Sequence, residues 1–300
     1  MPLAEHFVKP PEWTWYILGY FFLAGLSGGL YALGTMLRLF GRPSDEPAAR
    51  FAFLLSLPLL VLCPILLTVD LGRPEDFWHM LINSANGSLN FKYLSPMSVG
   101  AWGLGVFGLF SFLSFLEALA AVRHWDSGPP ARYRHLMGGM PGRLVMVLGT
   151  AFGLFLCAYT GVLLSVSNQP VWSDGWPLGG LFLASALSGS AAVLLVATRY
   201  RAEMLPSIHG VTAADRYFVL LEAALVVLFL VTVFIAGTAA KLFGPVGIAL
   251  WVIVLAGIAA PFLIHKRTPG NRGLTLILSP LLVLAGVLAL RAAVIFGAQS

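Results

Sequence analysis

Residues 15–40 read WYILGYFFLAGLSGGLYALGTMLRLF, an apolar stretch that carries no charge before Arg38. A helix that crosses a bilayer needs about 20 such residues. Seven further stretches of this kind follow, and the complete set is 15–40, 51–69, 94–122, 144–166, 178–198, 217–238, 245–264 and 274–296. The sequence therefore predicts an all-α integral membrane protein with eight transmembrane helices.

The composition of the whole chain excludes other classes of protein. Of its 300 residues, 58% are hydrophobic and 10% are charged, and the mean hydropathy is +0.87. A soluble domain carries about 25% charged residues, so this chain cannot cover itself with a polar surface. The two cysteines, both within apolar stretches, argue against a disulfide-rich secreted scaffold, and the high hydrophobicity argues against disorder.

Lys and Arg residues divide unequally between the two sides of the predicted bundle. The loops that join helices 1–2, 3–4, 5–6 and 7–8 carry thirteen of them, and the rest of the chain carries five. Because cytoplasmic loops are enriched in Lys and Arg, both termini and the remaining loops are expected on the outward, periplasmic side of a bacterial inner membrane. The net charge of +5 then reports topology in a lipid bilayer, and no nucleic-acid partner is expected.

The chain contains a candidate internal repeat. Residues 22–29 (FLAGLSGG) match residues 182–189 (FLASALSG) with one residue inserted, and Arg50 with 54–55 matches Arg216 with 220–221. This predicts two four-helix bundles of the same orientation. The expected division is an outward segment 1–14, a first half 15–166, an outward loop 167–177 and a second half 178–300. Gly25, Gly28 and Gly29 are interpreted as sites of close helix packing.

The longest polar segment on the expected outward side begins at Asp70, at the end of the second helix. Asp70 can accept a proton or a hydrogen bond at the membrane edge, and Arg73 is its natural partner. The same pair also fits a simple helix cap. Phe77 and Trp78, beside His79, indicate a segment at the membrane interface, where amphipathic rings settle.

Polar groups in apolar helices are costly and therefore form a second set of candidates. Tyr159 is expected one to two turns inside the outward end of the fourth helix, where its phenol needs a partner from another helix or from a ligand. Glu117 and Glu222 are expected toward the inward ends of their helices, where they either relay protons or reach the lipid headgroups. Arg291 is expected near the outward end of the last helix, where a long basic side chain can reach the interface.

No sequence motif predicts a metal or haem in this chain. All six histidines fall in predicted loops or at span ends, so no span offers the axial ligands that a haem between helices requires. The chain also lacks CxxC, Walker, HExxH and GxGxxG motifs, and Cys63 and Cys157 are single cysteines in apolar stretches that do not match a cluster-binding pattern. We therefore expect no haem, no iron–sulfur cluster and no metal ligands here.

Several motifs considered together resemble a known family. They are DLGRP at 70–74, FW and ML at 77–78 and 80–81, PMSVGAW at 96–102 after Ser95, YTGVLLS at 159–165, PVW at 170–172, and Gly286 with Leu290-Arg291. These resemble the NrfD-like family, the membrane subunits of polysulfide reductase and related molybdenum–iron–sulfur respiratory complexes. The similarity covers nearly the whole chain.

The resemblance implies a haem-free subunit that exchanges electrons between membrane quinone (menaquinone or ubiquinone) and an iron–sulfur subunit docked on its outward face. A separate molybdopterin or other catalytic subunit carries the terminal chemistry. The quinone head group is expected between Tyr159 and His79, with Asp70 as proton acceptor and Arg73 holding Asp70. Aromatic side chains are expected to wall the pocket, namely Trp13, Trp15, Tyr16 and Trp172. Glu117, Glu222 and Arg291 are candidates for a proton path.

Two other functions stay open from the sequence. A polytopic transporter would explain the parallel halves and the prolines within spans, although it requires polar groups at mid-membrane and this chain is expected to keep them near helix ends. A passive membrane anchor without quinone chemistry would need none of the candidate residues.

Overall fold

The computed structural model describes residues 12–83, 87–267 and 272–299, and within them the chain folds into nine α-helices. Their bounds are α1 Trp15–Phe40, α2 Glu46–Asp70, α3 Pro96–Val122, α4 Gly128–Met137, α5 Met140–Ser165, α6 Leu178–Tyr200, α7 Ile208–Ala236, α8 Pro245–Arg267 and α9 Arg272–Gly297. All except α4 are long and apolar enough to cross a membrane, so the prediction of eight transmembrane helices is confirmed. Most of the predicted segment 1–14 lies outside the described residues.

Two helices begin well before the positions that hydropathy predicts. α2 begins at Glu46 instead of residue 51, and α7 begins at Ile208 instead of residue 217. Polar residues extend both helices beyond their apolar part, because backbone hydrogen bonding continues where side chains leave the hydrocarbon core. Because the predicted span begins at residue 217, the prediction places Glu222 near a helix end.

The loop predicted between the third and fourth spans contains the short helix α4, which the sequence did not indicate. α4 is fixed to the bundle by Tyr133, whose hydroxyl donates a hydrogen bond to the Leu113 carbonyl of α3 at 2.7 Å. Burial, with a smaller contribution from the nearby Glu117 carboxylate, raises the pKa of Tyr133 to about 12. The phenol therefore stays protonated, and remains a donor, through the neutral range.

The first helix of each predicted half lies at the centre of the molecule. In the most apolar part of α1 83% of the residues are buried, and in α6 72%, against 28% in α2, α7 and α8. In the first group, α1 contacts α2, α2 contacts α3, α3 contacts α5, and α5 contacts α1. The helices α6, α7, α8 and α9 form a second closed group of the same kind, and α1 and α5 both contact α6. This order is compatible with two four-helix bundles, and the division into halves stays a prediction.

Glycines in α1 allow the central helices to approach each other, as predicted. A Cβ at Gly28 would overlap the Gly153 backbone of α5, and a Cβ at Gly29 would overlap Ser190 of α6. A Cβ at Gly25 would lie 2.8 Å from Nη2 of Arg291 in α9. The glycine-rich segment is therefore a packing site for three neighbouring helices.

The bundle has two ends, which we name after one residue each. The Asp70 face contains the start of α1 and the end of α2, joined by a hydrogen bond from Thr14 Oγ1 to Asp70 Oδ1. The Glu117 face contains the end of α1 and the end of α3, joined by an ion pair between Arg38 and Glu117. The assignment of the Asp70 face to the periplasmic side stays a prediction from the Lys and Arg distribution.

Candidate functional site

Asp70 lies at the end of α2, where it is partly buried and bonded to the start of α1. Its Oδ1 accepts a hydrogen bond from Thr14 Oγ1 at 3.1 Å, and Thr14 is also the residue that caps α1. The expected pairing of Asp70 with Arg73 is wrong, because Arg73 is exposed and no ion pair joins the two among the described residues. The helix ends after Asp70 and the chain turns at Gly72, where φ is +70°, so Arg73 continues onto the surface loop.

Arg73 and His79 instead line a surface pocket of about 390 Å³ next to Asp70. The pocket is bounded by the loop that follows α2 and by the first turn of α3, including Ser95 and Ser98. His79 has its Nδ1 3.6 Å from Asp76 Oδ1, and its carbonyl accepts a hydrogen bond from Asn90 at 2.9 Å. This pocket is therefore polar, partly cationic and held by side chain to backbone bonds.

Tyr159 lies in α5 and contacts the first turn of α3, which bounds the pocket. Its side chain is 7% exposed, and its hydroxyl donates to the Pro96 carbonyl at 2.9 Å. The need for a partner is thus confirmed, and the partner is the backbone at the start of α3. A Cβ at Gly100 would overlap the Tyr159 ring, so the glycine of the PMSVGAW motif makes room for the phenol.

Tyr20 is a residue of this region that sequence reasoning missed. It lies in α1 and is 4% exposed. It is within electrostatic range of Tyr159 and Cys63, so the two phenols approach each other from α1 and α5. The sequence could have indicated Tyr20, because it is a tyrosine within the apolar stretch 15–40 and a phenol within a span requires a partner.

The predicted aromatic residues lie elsewhere on the Asp70 face. Trp13 stacks on Trp172 with ring centroids 4.9 Å apart, and Trp172 is buried and donates to the Val294 carbonyl of α9 at 2.8 Å. Trp15 is 73% exposed with its edge on Phe296, and Tyr16 is 45% exposed. None of the four lines the pocket with Arg73 and His79, and their place in the wall of a quinone site stays a prediction. They attach α1 to α9 or face outward from the bundle.

Glu117 lies on the opposite face in a network of ion pairs. Its Oε2 is 2.5 Å from Arg38 Nη1, and Arg38 also pairs with Glu46 at 2.7 Å. Glu46 in turn pairs with Arg50 at 2.9 Å. Among the described residues no hydrogen bond links this network to Glu222, so the structure does not join Glu117 and Glu222 into one line.

Glu222 and Arg291 are both buried inside the bundle, so the expectation that they reach the headgroups or the interface from helix ends is wrong. Glu222 is 3% exposed in the middle of α7 and accepts a hydrogen bond from Ser188 of α6 at 2.7 Å. Arg291 is 0% exposed and donates to Ser185 Oγ at 2.9 Å and to the Phe21 carbonyl at 3.3 Å. The central position of α6 explains this burial, since α7 and α9 turn these side chains toward it.

Asp215 is a further buried carboxylate that sequence reasoning missed. It lies in α7, is 3% exposed, and its Oδ1 has no hydrogen-bond partner within the described part of the chain. Asp215 and Glu222 are seven residues apart, which places them on the same face of a helix. That spacing was visible in the sequence, but the hydropathy pattern assigned Asp215 to a loop.

Comparison with known proteins identifies the family. A profile described as Polysulphide reductase, NrfD matches residues 5–300. The sequence is 26% identical to Protein NrfD of Escherichia coli (strain K12), with 99% of this sequence and 97% of that protein covered. It is 29% identical to one of the polysulfide reductase chains of Wolinella succinogenes, with 96% and 94% covered. A selenate reductase subunit of Mesobacillus selenatarsenatis is 30% identical over 91 residues, which are 30% of this sequence and 19% of that protein.

The family profile extends over nearly the whole chain, and the resemblance inferred from the motifs is confirmed. The eight long apolar helices of the described residues agree with a membrane family. The chain therefore belongs to the polysulphide reductase NrfD family and is a multi-pass inner-membrane protein.

Proposed function

We propose that this protein is the membrane subunit of a respiratory reductase complex and exchanges electrons between membrane quinone and an iron–sulfur subunit. Two relatives are named as one component of a polysulfide reductase and one component of a selenate reductase, which supports a protein that acts beside catalytic partners. Menaquinone and ubiquinone are both compatible substrates. The terminal reduction takes place on a separate molybdopterin or other catalytic subunit.

The observation that carries this proposal is the pocket at the Asp70 face, whose lining begins at Leu71, directly after Asp70. Tyr159 donates to the carbonyl of Pro96, which lies between the lining residues Ser95 and Met97. The pocket volume of about 390 Å³ is within the range of ligand sites, about 300 to 1,000 Å³. A quinone head group needs hydrogen-bond donors at its oxygens and a group that exchanges protons. Arg73 and His79 line the pocket and supply donors, and Asp70 is proposed to exchange protons at the edge of the site.

The partner subunit is proposed to dock on the Asp70 face. The loop that follows α2 presents large apolar side chains there, with Phe77 52% exposed, Leu89 72% and Tyr93 75%. Exposed apolar groups of this size, mixed with Arg73 and Lys92, are typical of protein interfaces. Docking over the pocket would bring an electron carrier close to the quinone site.

A transporter is the second candidate, and one observation favours it. Glu222 is 3% exposed and lies in the middle of α7, so the expectation that polar groups stay near helix ends argues less strongly against transport. The experiment that tests quinone exchange also separates these functions, because a transporter has no quinone-dependent electron transfer.

The test uses the purified complex with its partner subunits and measures electron transfer with a soluble quinol. Tyr159→Phe and Asp70→Asn should each lower turnover at least about tenfold, since positioned acid–base groups contribute about 10² to 10⁴ in rate. The matched controls are Tyr31→Phe and Asp174→Asn. Tyr31 is a buried tyrosine bonded to Ser114 at 2.7 Å, and Asp174, like Asp70, accepts from a threonine, at 2.8 Å.

Both control variants should keep turnover within about twofold of wild type, because neither residue touches the pocket. Near-normal turnover in both Tyr159→Phe and Asp70→Asn would refute the proposed site. Absence of quinone-dependent electron transfer in the wild-type complex would refute the proposed function and favour a transporter or a passive anchor.

A further inference from the structure

Part of the pocket wall at the Asp70 face belongs to a segment outside the transmembrane helices. Asp76, His79 and Met80 line the pocket and belong to a short 3₁₀ helix, Pro74–Met80, which follows the turn at Gly72. No residue of this 3₁₀ helix is buried, so packing in the bundle contributes little to its position. The position of the segment therefore depends on hydrogen bonds to its neighbours.

The imidazole of His79 has no strong contact that fixes it to the transmembrane helices. Its Nδ1 lies 3.6 Å from Asp76 Oδ1, which is longer than a hydrogen bond, and Asp76 belongs to the same 3₁₀ helix. Its ring lies against that of Trp78, the preceding residue, with ring centroids 4.0 Å apart. Both contacts move with the segment, so the backbone of His79 decides where the imidazole lies in the pocket.

Asn90 connects this backbone to the chain that leads into α3. Its side-chain Nδ2 donates to the His79 carbonyl at 2.9 Å, and its backbone N–H donates to the Leu81 carbonyl at 2.8 Å. Asn90 also lines the pocket. Two donors of one residue thus hold the end of the 3₁₀ helix and the residue that follows it.

The first turns of α3 hold Asn90 in the same way. The Asn90 carbonyl accepts from Ser98 Oγ at 3.2 Å and from Trp102 Nε1 at 3.4 Å. Ser98 and Trp102 are four residues apart in the PMSVGAW motif and therefore share one face of α3. Gly100 of the same motif adjoins the Tyr159 ring. One motif thus fixes the phenol directly and the imidazole through Asn90.

We propose that Asn90 is a positioning residue of the quinone site and acts through His79. Its side-chain amide holds the His79 backbone close to α3, so that the imidazole lies where it can donate a hydrogen bond to a quinone oxygen. This role rests on the proposed function. The amide exchanges no proton and no electron, so it contributes to the binding and orientation of the head group.

The test measures kcat and KM for a soluble quinol with the purified complex and its partner subunits. Asn90→Ala removes the side-chain donor and leaves the backbone N–H and carbonyl of this residue in place. KM should rise about three- to tenfold, the value of one hydrogen bond. The kcat should stay within about twofold, because lost binding of the substrate raises KM alone.

A double-mutant cycle with His79→Ala separates positioning from a merely structural role. His79→Ala alone should raise KM at least as much as Asn90→Ala does. In the His79→Ala background, Asn90→Ala should add less than about twofold, because two residues that act through one contact are not additive. A general effect on the loop would instead add in full.

The matched control is Asn168→Ala. Asn168 is an exposed asparagine in the loop that also carries Trp172, and it does not line the pocket. The same chemical change there should leave both KM and kcat within about twofold of wild type. If the Asn90→Ala complex does not assemble, Asn90→Asp keeps the shape of the side chain but lacks the donor when ionised, and the same rise in KM and the same cycle are expected.

A wild-type KM in the assembled Asn90 variant would overturn this role, and so would a wild-type KM in His79→Ala. Full additivity in the cycle would also overturn it, because Asn90 would then act independently of His79. All three outcomes leave quinone exchange standing. Failure of the proposed function is distinct, because it appears as absence of quinone-dependent electron transfer in the wild-type complex.

Discussion

The two predicted halves of the protein have different side chains at the positions that the candidate repeat makes equivalent. Aligning 22–24 with 182–184, with one residue inserted, places Ser27 opposite Ser188, and aligning Arg50 with Arg216 places Ser56 opposite Glu222. In the first half Ser27 donates to the Ser56 carbonyl at 2.8 Å, and Ser56 donates back to the Ser27 carbonyl at 2.9 Å. In the second half Ser188 donates to the Glu222 carboxylate at 2.7 Å.

The helix pair α1 and α2 and the corresponding pair α6 and α7 therefore use the same contact positions in different ways. The serine pair of the first half satisfies itself and fastens α1 to α2 without any group that exchanges protons. The second half replaces one member with a carboxylate, and the position equivalent to Asp215 in the first half is the buried Ala49. Substrate chemistry is thus proposed for the first half and proton transfer for the second.

The largest effect is expected when the second half is given the chemistry of the first. Glu222→Ser recreates the Ser27–Ser56 arrangement and removes the buried carboxyl. In phospholipid vesicles that contain the purified complex, the pH change at the Glu117 face during quinol-driven electron transfer (the proton signal) should fall about tenfold or more, while electron transfer in detergent stays within about twofold. Thermal unfolding of the complex should occur at an equal or higher temperature, because an unpaired buried acid is costly. A retained proton signal would mean that the two halves do not differ in this function.

Gly100→Ala is expected to produce the next largest effect, in the opposite half. The new Cβ overlaps the Tyr159 ring, and overpacking of this kind costs about 1 to 3 kcal/mol. Quinol turnover should fall several-fold because Tyr159 must move, and the number of protons taken up per electron should stay the same. The paired control is Gly105→Ala on the same helix, since a Cβ there meets nothing within 4 Å. Equal turnover in the two variants would contradict the role of Tyr159.

The sequence predicts much of the fold because bilayer thickness limits helix length. Eight apolar stretches, the packing glycines and the need of Tyr159 for a partner all follow from local chemistry. The sequence does not predict which distant residue supplies a partner. Asp70 is bonded to Thr14 across 56 positions of the chain, and nothing in the DLGRP motif indicates that contact.

The burial of charged side chains is the other feature that the sequence does not predict. Arg291 looks like an interfacial residue because only six residues separate it from the end of α9, yet the central α6 and α1 surround it. Asp215 looks like a loop residue because Arg216 follows it and lowers the local hydropathy. In both cases the packing of neighbouring helices decides the environment, and a single helix does not encode it.

The smallest expected effect compares the two equivalent serines. Ser27→Ala removes a hydrogen-bond donor to the Ser56 carbonyl, whereas Ser56 keeps its own bond to the Ser27 carbonyl. The free energy of unfolding should therefore fall by about 0.6 to 1 kcal/mol. The proton signal should not change. Ser188→Ala removes the hydrogen bond of a carboxyl group and should slow the proton signal about two- to fivefold. Thermal unfolding and the vesicle assay measure both effects. A loss of proton signal in Ser27→Ala as large as that in Ser188→Ala would place the first half in the path and remove the distinction between the halves.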